Sequence, residues 1–257
     1  MFADTSILGI FFVLYFFYSF FDLIKDCIYS LAQGPSRKKK PSTSAITEEM
    51  MKEAMQNKKF GDFELTPAVV FFKDGDIMPS EGYKTGQFVG PDGLIRSRMI
   101  VSASAEKVLD IFDEFISLVG DKCNVVVEDF RTGDNNHLDY FAYDKDTYIV
   151  RSVFFDFEEF FLNDGFFTIA IWNEMARAEV QLTSQKVIQV FAEDITGFES
   201  SLASFGIEED PELRFFFEEF YMLISTENGA SAIEALKDRL CVDHSAIHKS
   251  DPPEMAN

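Results

Sequence analysis

The sequence predicts a single N-terminal transmembrane helix followed by an α+β domain, and three observations lead to that architecture. Ile7 to Ile24 is an almost unbroken apolar run. From residue 46 onward, segments of helical period alternate with short β-branched runs bounded by turn residues. The charge is divided sharply between the two parts. The chain has 23 Lys/Arg and 44 Asp/Glu; residues 1–45 hold five and three of these, which leaves 18 against 41, a net of −23, for residues 46–257.

The apolar run comes first. Eighteen residues rise about 27 Å as a helix, close to the roughly 30 Å hydrocarbon core of a bilayer. Eleven of the residues from Ile7 to Phe21 are Ile, Leu, Val or Phe, and together they favour insertion by roughly 3 to 6 kcal/mol. Ile7, Phe12, Phe17, Phe21 and Ile24 mark the lipid-facing anchor, within a membrane segment spanning residues 1–32. Residues 33–45 form a polar Pro/Ser linker. Its basic cluster, Arg37, Lys38, Lys39 and Lys40, suits contact with anionic headgroups. The same cluster, against Asp4 on the other side of the anchor, predicts a single-pass protein with a cytoplasmic C-terminal domain. Signal cleavage before a secreted domain is the alternative. Asp22, Lys25 and Asp26 between the apolar run and Ser30-Leu31-Ala32 speak against it.

The acidic domain is expected over residues 46–242, with a loose polar tail over 243–257. A mixed or antiparallel sheet of about five to seven strands, packed by about three to four helices, fits the pattern. Thr47 caps a short helix to residue 57, and Glu64–Phe72 contains a β-rich run. Residues 77–87 read as loop, and Leu94–Val101 as a strand. Ser104 to Val119 is the clearest soluble helix, with Val108, Ile111, Phe112, Phe115, Leu118 and Val119 on one face and Ser104 as its cap. Strands follow at Lys122–Phe130 and near Leu138–Tyr143, then a helix over Asp146–Leu162. Phe166–Trp172, Ala178–Thr183 and Lys186–Ala192, joined by short polar connections, predict an antiparallel meander. Thr196 and Glu199 read as a capping box, residues 211–224 as either helix or strand, and 230–240 as the last helix.

Function is far less legible. A domain this acidic repels phosphate backbones, so nucleic acid is excluded as the expected partner. No phosphate-binding glycine loop and no nucleophile elbow occurs. Cys27, Cys123 and Cys241 are too far apart for a disulfide framework and fit a reducing compartment. Cys241, His244 and His248 have a spacing that would converge on a metal if helical, but a structural zinc site normally takes four protein ligands. No cofactor is expected. Adjacent acids are numerous enough in such a chain to be solvated surface. The sequence therefore favours a membrane-tethered, non-enzymatic interaction domain that contacts lipid through residues 7–24 and binds a protein partner of basic character. A membrane-anchored enzyme using carboxylates or a metal is the alternative.

Overall fold

The computed structural model describes residues 46–73, 76–89, 94–131 and 137–249, and for 243–249 the backbone alone. These residues form an α+β fold dominated by one eight-stranded antiparallel sheet. The strands are β1 (Lys59–Phe60), β2 (Phe63–Glu64), β3 (Val69–Phe71), β4 (Gly82–Val89), β5 (Ile95–Ser102), β6 (Lys122–Asp129), β7 (Leu138–Asp146), β8 (Phe167–Asn173), β9 (Ala178–Leu182), β10 (Ile188–Ala192), β11 (Tyr221–Leu223) and β12 (Asp243–Lys249). The helices are α1 (Glu48–Gln56), α2 (Val108–Val119), α3 (Thr147–Phe155), α4 (Glu158–Asn163), α5 (Thr196–Ser204) and α6 (Gly229–Leu240). The large sheet runs β12-β7-β6-β8-β9-β10-β5-β4, and the pairs β1-β2 and β3-β11 stand outside it.

Strand alternation gives this sheet two unlike faces. On one face Met99, Val101, Val125, Val127, Ile169, Ile171, Val180, Leu182, Ile188 and Val190 form a single apolar core with the inward residues of α2 to α6. Helix α2 shows why: Val108, Ile111, Phe112, Phe115, Ile116 and Val119 fall on one stripe and are all buried. On the other face lie the buried polar side chains of Arg98, Glu128, Asp139, Thr168, Glu179, Gln181 and Gln189. They flank a small apolar group of Val126, Phe141, Ala170 and Trp172.

Several elements match the sequence expectation. The meander β8-β9-β10 is antiparallel throughout, and Thr47 caps α1 by accepting a hydrogen bond from Met50 N. Others differ, for local reasons. The segment read as a loop at 77–87 supplies most of β4, an edge strand whose Gly82 and Gly86 mask its period. Helix α2 starts at Val108 rather than at Ser104, whose hydroxyl instead accepts a hydrogen bond from Glu64 N and ties β2 to the helix entry. The single helix expected over 146–162 is two, because the chain turns at Asp156 and Phe157. Thr196 forms no capping box; Asp194 Oδ1 accepts from Thr196 N and satisfies the helix start from outside. Residues 211–224 are neither one helix nor one strand: a 3-10 turn at Phe216–Glu218 leads into β11, which pairs with β3. Asp243–Lys249, read as part of a loose tail, pairs with β7 as the edge strand β12. The sheet therefore has eight strands rather than five to seven, and the described residues contain six α-helices rather than three to four.

Candidate functional site

The second face of the sheet carries the most unusual polar chemistry. Glu128 on β6 is the direct cross-strand partner of Asp139 on β7, and on its other side it pairs with Thr168 of β8. His137 immediately precedes β7. Glu128, His137 and Asp139 are all buried, and one potential ligand atom from each lies within 4.8 Å of the others. His137 Nε2 is 3.0 Å from Asp139 Oδ1, yet that oxygen accepts no hydrogen bond. The imidazole leans on the ring of Phe130, whose centroid is 5.3 Å away. Two carboxylates and an imidazole, from the end of one strand and the beginning of the next, thus share one enclosed spot.

Further along the same face, Glu179 is fully enclosed. Burial pushes its carboxyl up to about 8; a hydrogen bond from Gln181 opposes this, and the charge of Glu128 adds to it. Arg98 donates to Gln189 Oε1 at 2.9 Å on the neighbouring strands.

A second polar centre lies where α4 meets the body of the fold. Asp164, wholly buried, accepts hydrogen bonds from Arg131 Nη2 at 2.6 Å, Ser225 Oγ at 2.8 Å, Phe166 N at 2.9 Å and Thr226 N at 3.0 Å. Burial alone would raise this carboxyl, but the hydrogen bonds and the Arg131 charge outweigh it and hold the group below its ordinary value. Close to this pair sits Lys186, in the turn joining β9 to β10. Its N–H donates to Thr183 O at 2.9 Å while Thr183 N donates to Val187 O at 3.1 Å. This places Lys186 at φ 61, a left-handed position that favours glycine or asparagine. The amine reaches inward, 3.9 Å from the centre of the Phe167 ring, and has no hydrogen-bond partner. Burial pushes it down to about 7; Asp164 opposes that shift and Arg131 adds to it. A small cleft beside it is lined by Phe63, Leu65, Thr66 and Phe216.

The outer surface offers a third feature. Helix α3 buries Thr147, Val150, Val153 and Phe154, whereas Tyr148, Ile149 and Phe155 are exposed by 79%, 62% and 72%. Residues seven apart share a helical stripe, so Tyr148 and Phe155 stand on one side with Ile149 next to them. Around them Asp144, Asp146, Asp156, Glu158 and Glu159 are exposed. The nearby Arg151 is engaged by Asp113 through hydrogen bonds of 2.8 and 2.6 Å.

The residues singled out from sequence fall elsewhere. Cys241 caps α6 in a left-handed conformation and is exposed. His244 and His248 lie on strand β12 rather than on a helix, and β12 pairs His248 with Asp139. The helical turn on which these three residues could have converged is therefore absent, since His244 and His248 lie in a strand. Anchor residues Ile7 to Ile24 and the cluster Arg37 to Lys40 lie outside the described residues. Among the described residues, no helix is long and apolar enough to cross a membrane. Sequence reasoning missed the Glu128, His137 and Asp139 group; its only local signal was the His137-x-Asp139 spacing just before a strand. The chain matches no protein family, no curated protein and no solved structure.

Proposed function

We propose that the protein is a membrane-tethered interaction module whose α+β domain docks a basic, apolar-faced protein segment on helix α3. The observation that carries this reading is the exposure of Tyr148, Ile149 and Phe155 on one short helix flanked by exposed acids, of which Asp156 is paired with Arg239 and Asp146 caps the helix. Exposed aromatic residues grouped on one helix face have a partner-binding role more often than scattered ones do. The five exposed acids around them select for positive charge at the rim, where it steers encounter and specificity.

The remaining parts of the sequence support the same picture. The apolar run Ile7 to Ile24 anchors the chain, Arg37 to Lys40 hold the linker against the cytoplasmic headgroups, and the net charge of −23 keeps the domain off the lipid surface. Thirteen residues at random-coil dimensions span about 20 Å, and a tether of that length would confine the domain near the membrane and raise its local concentration for membrane-bound partners.

The test is recovery of the partner from gently solubilised membranes, with full-length wild type and a Tyr148→Glu/Phe155→Glu double variant. Burying one such aromatic contributes about 1.5 to 3 kcal/mol, so the double variant is expected to lose nearly all recovery while its melting temperature stays at the wild-type value. Recovery should also fall as salt rises, since rim charges are screened. A partner recovered equally by both proteins would overturn the α3 assignment.

A further inference from the structure

We infer that Glu128, His137 and Asp139 form a binding site for a first-row divalent metal ion of the zinc or manganese type. Two features converge on it. Glu128 and Asp139 are directly opposed on adjacent antiparallel strands. Both are buried, at 6% and 7% exposure, and with His137 they bring one potential ligand atom each to within 4.8 Å of the others.

The contact between the imidazole and Asp139 is the second feature. Nε2 and Oδ1 are 3.0 Å apart, a separation at which a carboxylate would normally accept a proton from the ring. Oδ1 nevertheless has no hydrogen-bond donor, although the Asp139 side chain is nine-tenths buried. A buried carboxylate oxygen without a donor is costly unless something else satisfies it. Two ligand atoms that face a common centre, rather than each other, stand at this kind of distance, and a metal ion there would satisfy Oδ1.

The donor set narrows the choice of ion. Calcium and magnesium favour all-oxygen shells, whereas an imidazole with carboxylates suits zinc, manganese and their neighbours. The site is assembled by the β6-β7 pairing itself: two ligands are cross-strand partners and the third precedes one of them by two residues. The β7-β12 register places His248 opposite Asp139 on the far side. An ion here would cross-link the strands at one end of the large sheet, and its binding energy would add to the stability of the fold. This site is separate from the α3 surface, and neither reading depends on the other.

The experiment uses the full-length protein, stripped with chelator and dialysed. On titration with Zn²⁺ it should bind one equivalent, and a large excess of Ca²⁺ should leave that binding in place. Its melting temperature should rise by several degrees with zinc, and the rise should vanish in Asp139→Asn and in His137→Gln. Substituting Co²⁺ in the wild type gives a second measurement that needs no variant to fold: weak visible bands of a nitrogen and oxygen shell, without the intense near-ultraviolet absorption of a cobalt–thiolate bond. Absence of stoichiometric zinc binding, equal displacement by Ca²⁺, zinc binding that survives in both variants, or a thiolate band pointing to Cys123 or Cys241 would each overturn the assignment.

Discussion

Lys186 is a lysine where the fold has least use for one, and replacing it with methionine should stabilise the protein. The residue is 96% buried, and its amine has no hydrogen-bond acceptor. Loss of water lowers its pKa from 10.5 to about 7. At about 1.4 kcal/mol per unit this corresponds to roughly 5 kcal/mol, and to about 4 at pH 7, where half the population is already neutral. The Phe167 ring, 3.9 Å from Nζ, favours the charged form and returns about 2 kcal/mol in a desolvated setting. Desolvation therefore wins, with a net cost of about 2 to 4 kcal/mol at neutral pH. Methionine keeps the length and the apolar stem and removes the charge.

Lys186→Met is accordingly expected to raise the melting temperature of the full-length protein by about 5 to 15 °C at pH 7. The pH dependence follows from the lowered pKa. Between about pH 7 and 10.5 the unfolded chain holds a proton that the folded chain does not, so wild-type stability rises with pH through this window. The advantage of the variant should thus shrink by about 2 kcal/mol from pH 7 to pH 9. Thermal melts of both proteins at the two pH values supply the measurement. A less stable Lys186→Met at pH 7, or a difference independent of pH, would show that the ammonium is charged and held by its surroundings, and the reasoning would fail.

Two further outcomes concern the centre around Asp164. A methyl group at Gly229 would overlap Asp164 Oδ2 and come within 2.8 Å of Ser225 Oγ and 2.9 Å of Arg131 Nη2, so Gly229→Ala should lower stability by about 2 kcal/mol in a denaturant titration; an unchanged midpoint would refute the close packing. Asp164→Asn breaks a buried ion pair and should cost about 3 to 5 kcal/mol at pH 7. Because the folded-state pKa of Asp164 is held below 3.8, its stabilisation is fully present above that value and is lost as pH falls beneath it. The gap between Asp164→Asn and the wild type should therefore close in acid, and a gap constant down to pH 2 would contradict the assignment.

What could be read from the sequence was what local period determines. The buried stripe of α2, the valines of β6 and the β8-β10 meander are written in consecutive residues, and each appears where expected. Where local signals are weak or shared, the reading failed. Gly82, Lys84, Thr85, Gly86 and Gln87 give no apolar alternation, because β4 is an edge strand with its middle residues turned to solvent. No proline or glycine marks the break between α3 and α4. The Phe-rich run also hid a surface: Phe154, Phe160 and Phe161 are buried while Phe155 is exposed, a distinction set by the face of its helix on which each residue falls. The candidate metal ligands were beyond local reading altogether. Glu128 and Asp139 become neighbours only through strand register, and eleven positions separate them in sequence.

The distribution of polar groups between the two sheet faces bears on how the protein can carry a site without losing its fold. The helix-covered face is apolar from β5 to β7, and its continuous core supplies the burial that holds the layers together. Several of the buried ionisable groups lie on the other face or in a turn between strands, as Glu128, Asp139, Glu179, Arg98 and Lys186 do. Each such group costs stability when incompletely paired, and the cost is local to its own strands. Glu179 illustrates the crowding: burial pushes its carboxyl to about 8, with the charge of Glu128 adding to the shift. The β6-β7 register sets Glu128 and Asp139 side by side on this face, away from Arg98, which donates to Gln189. His137 lies beside them, and an ion shared by the three side chains would be held by the strand pairing itself.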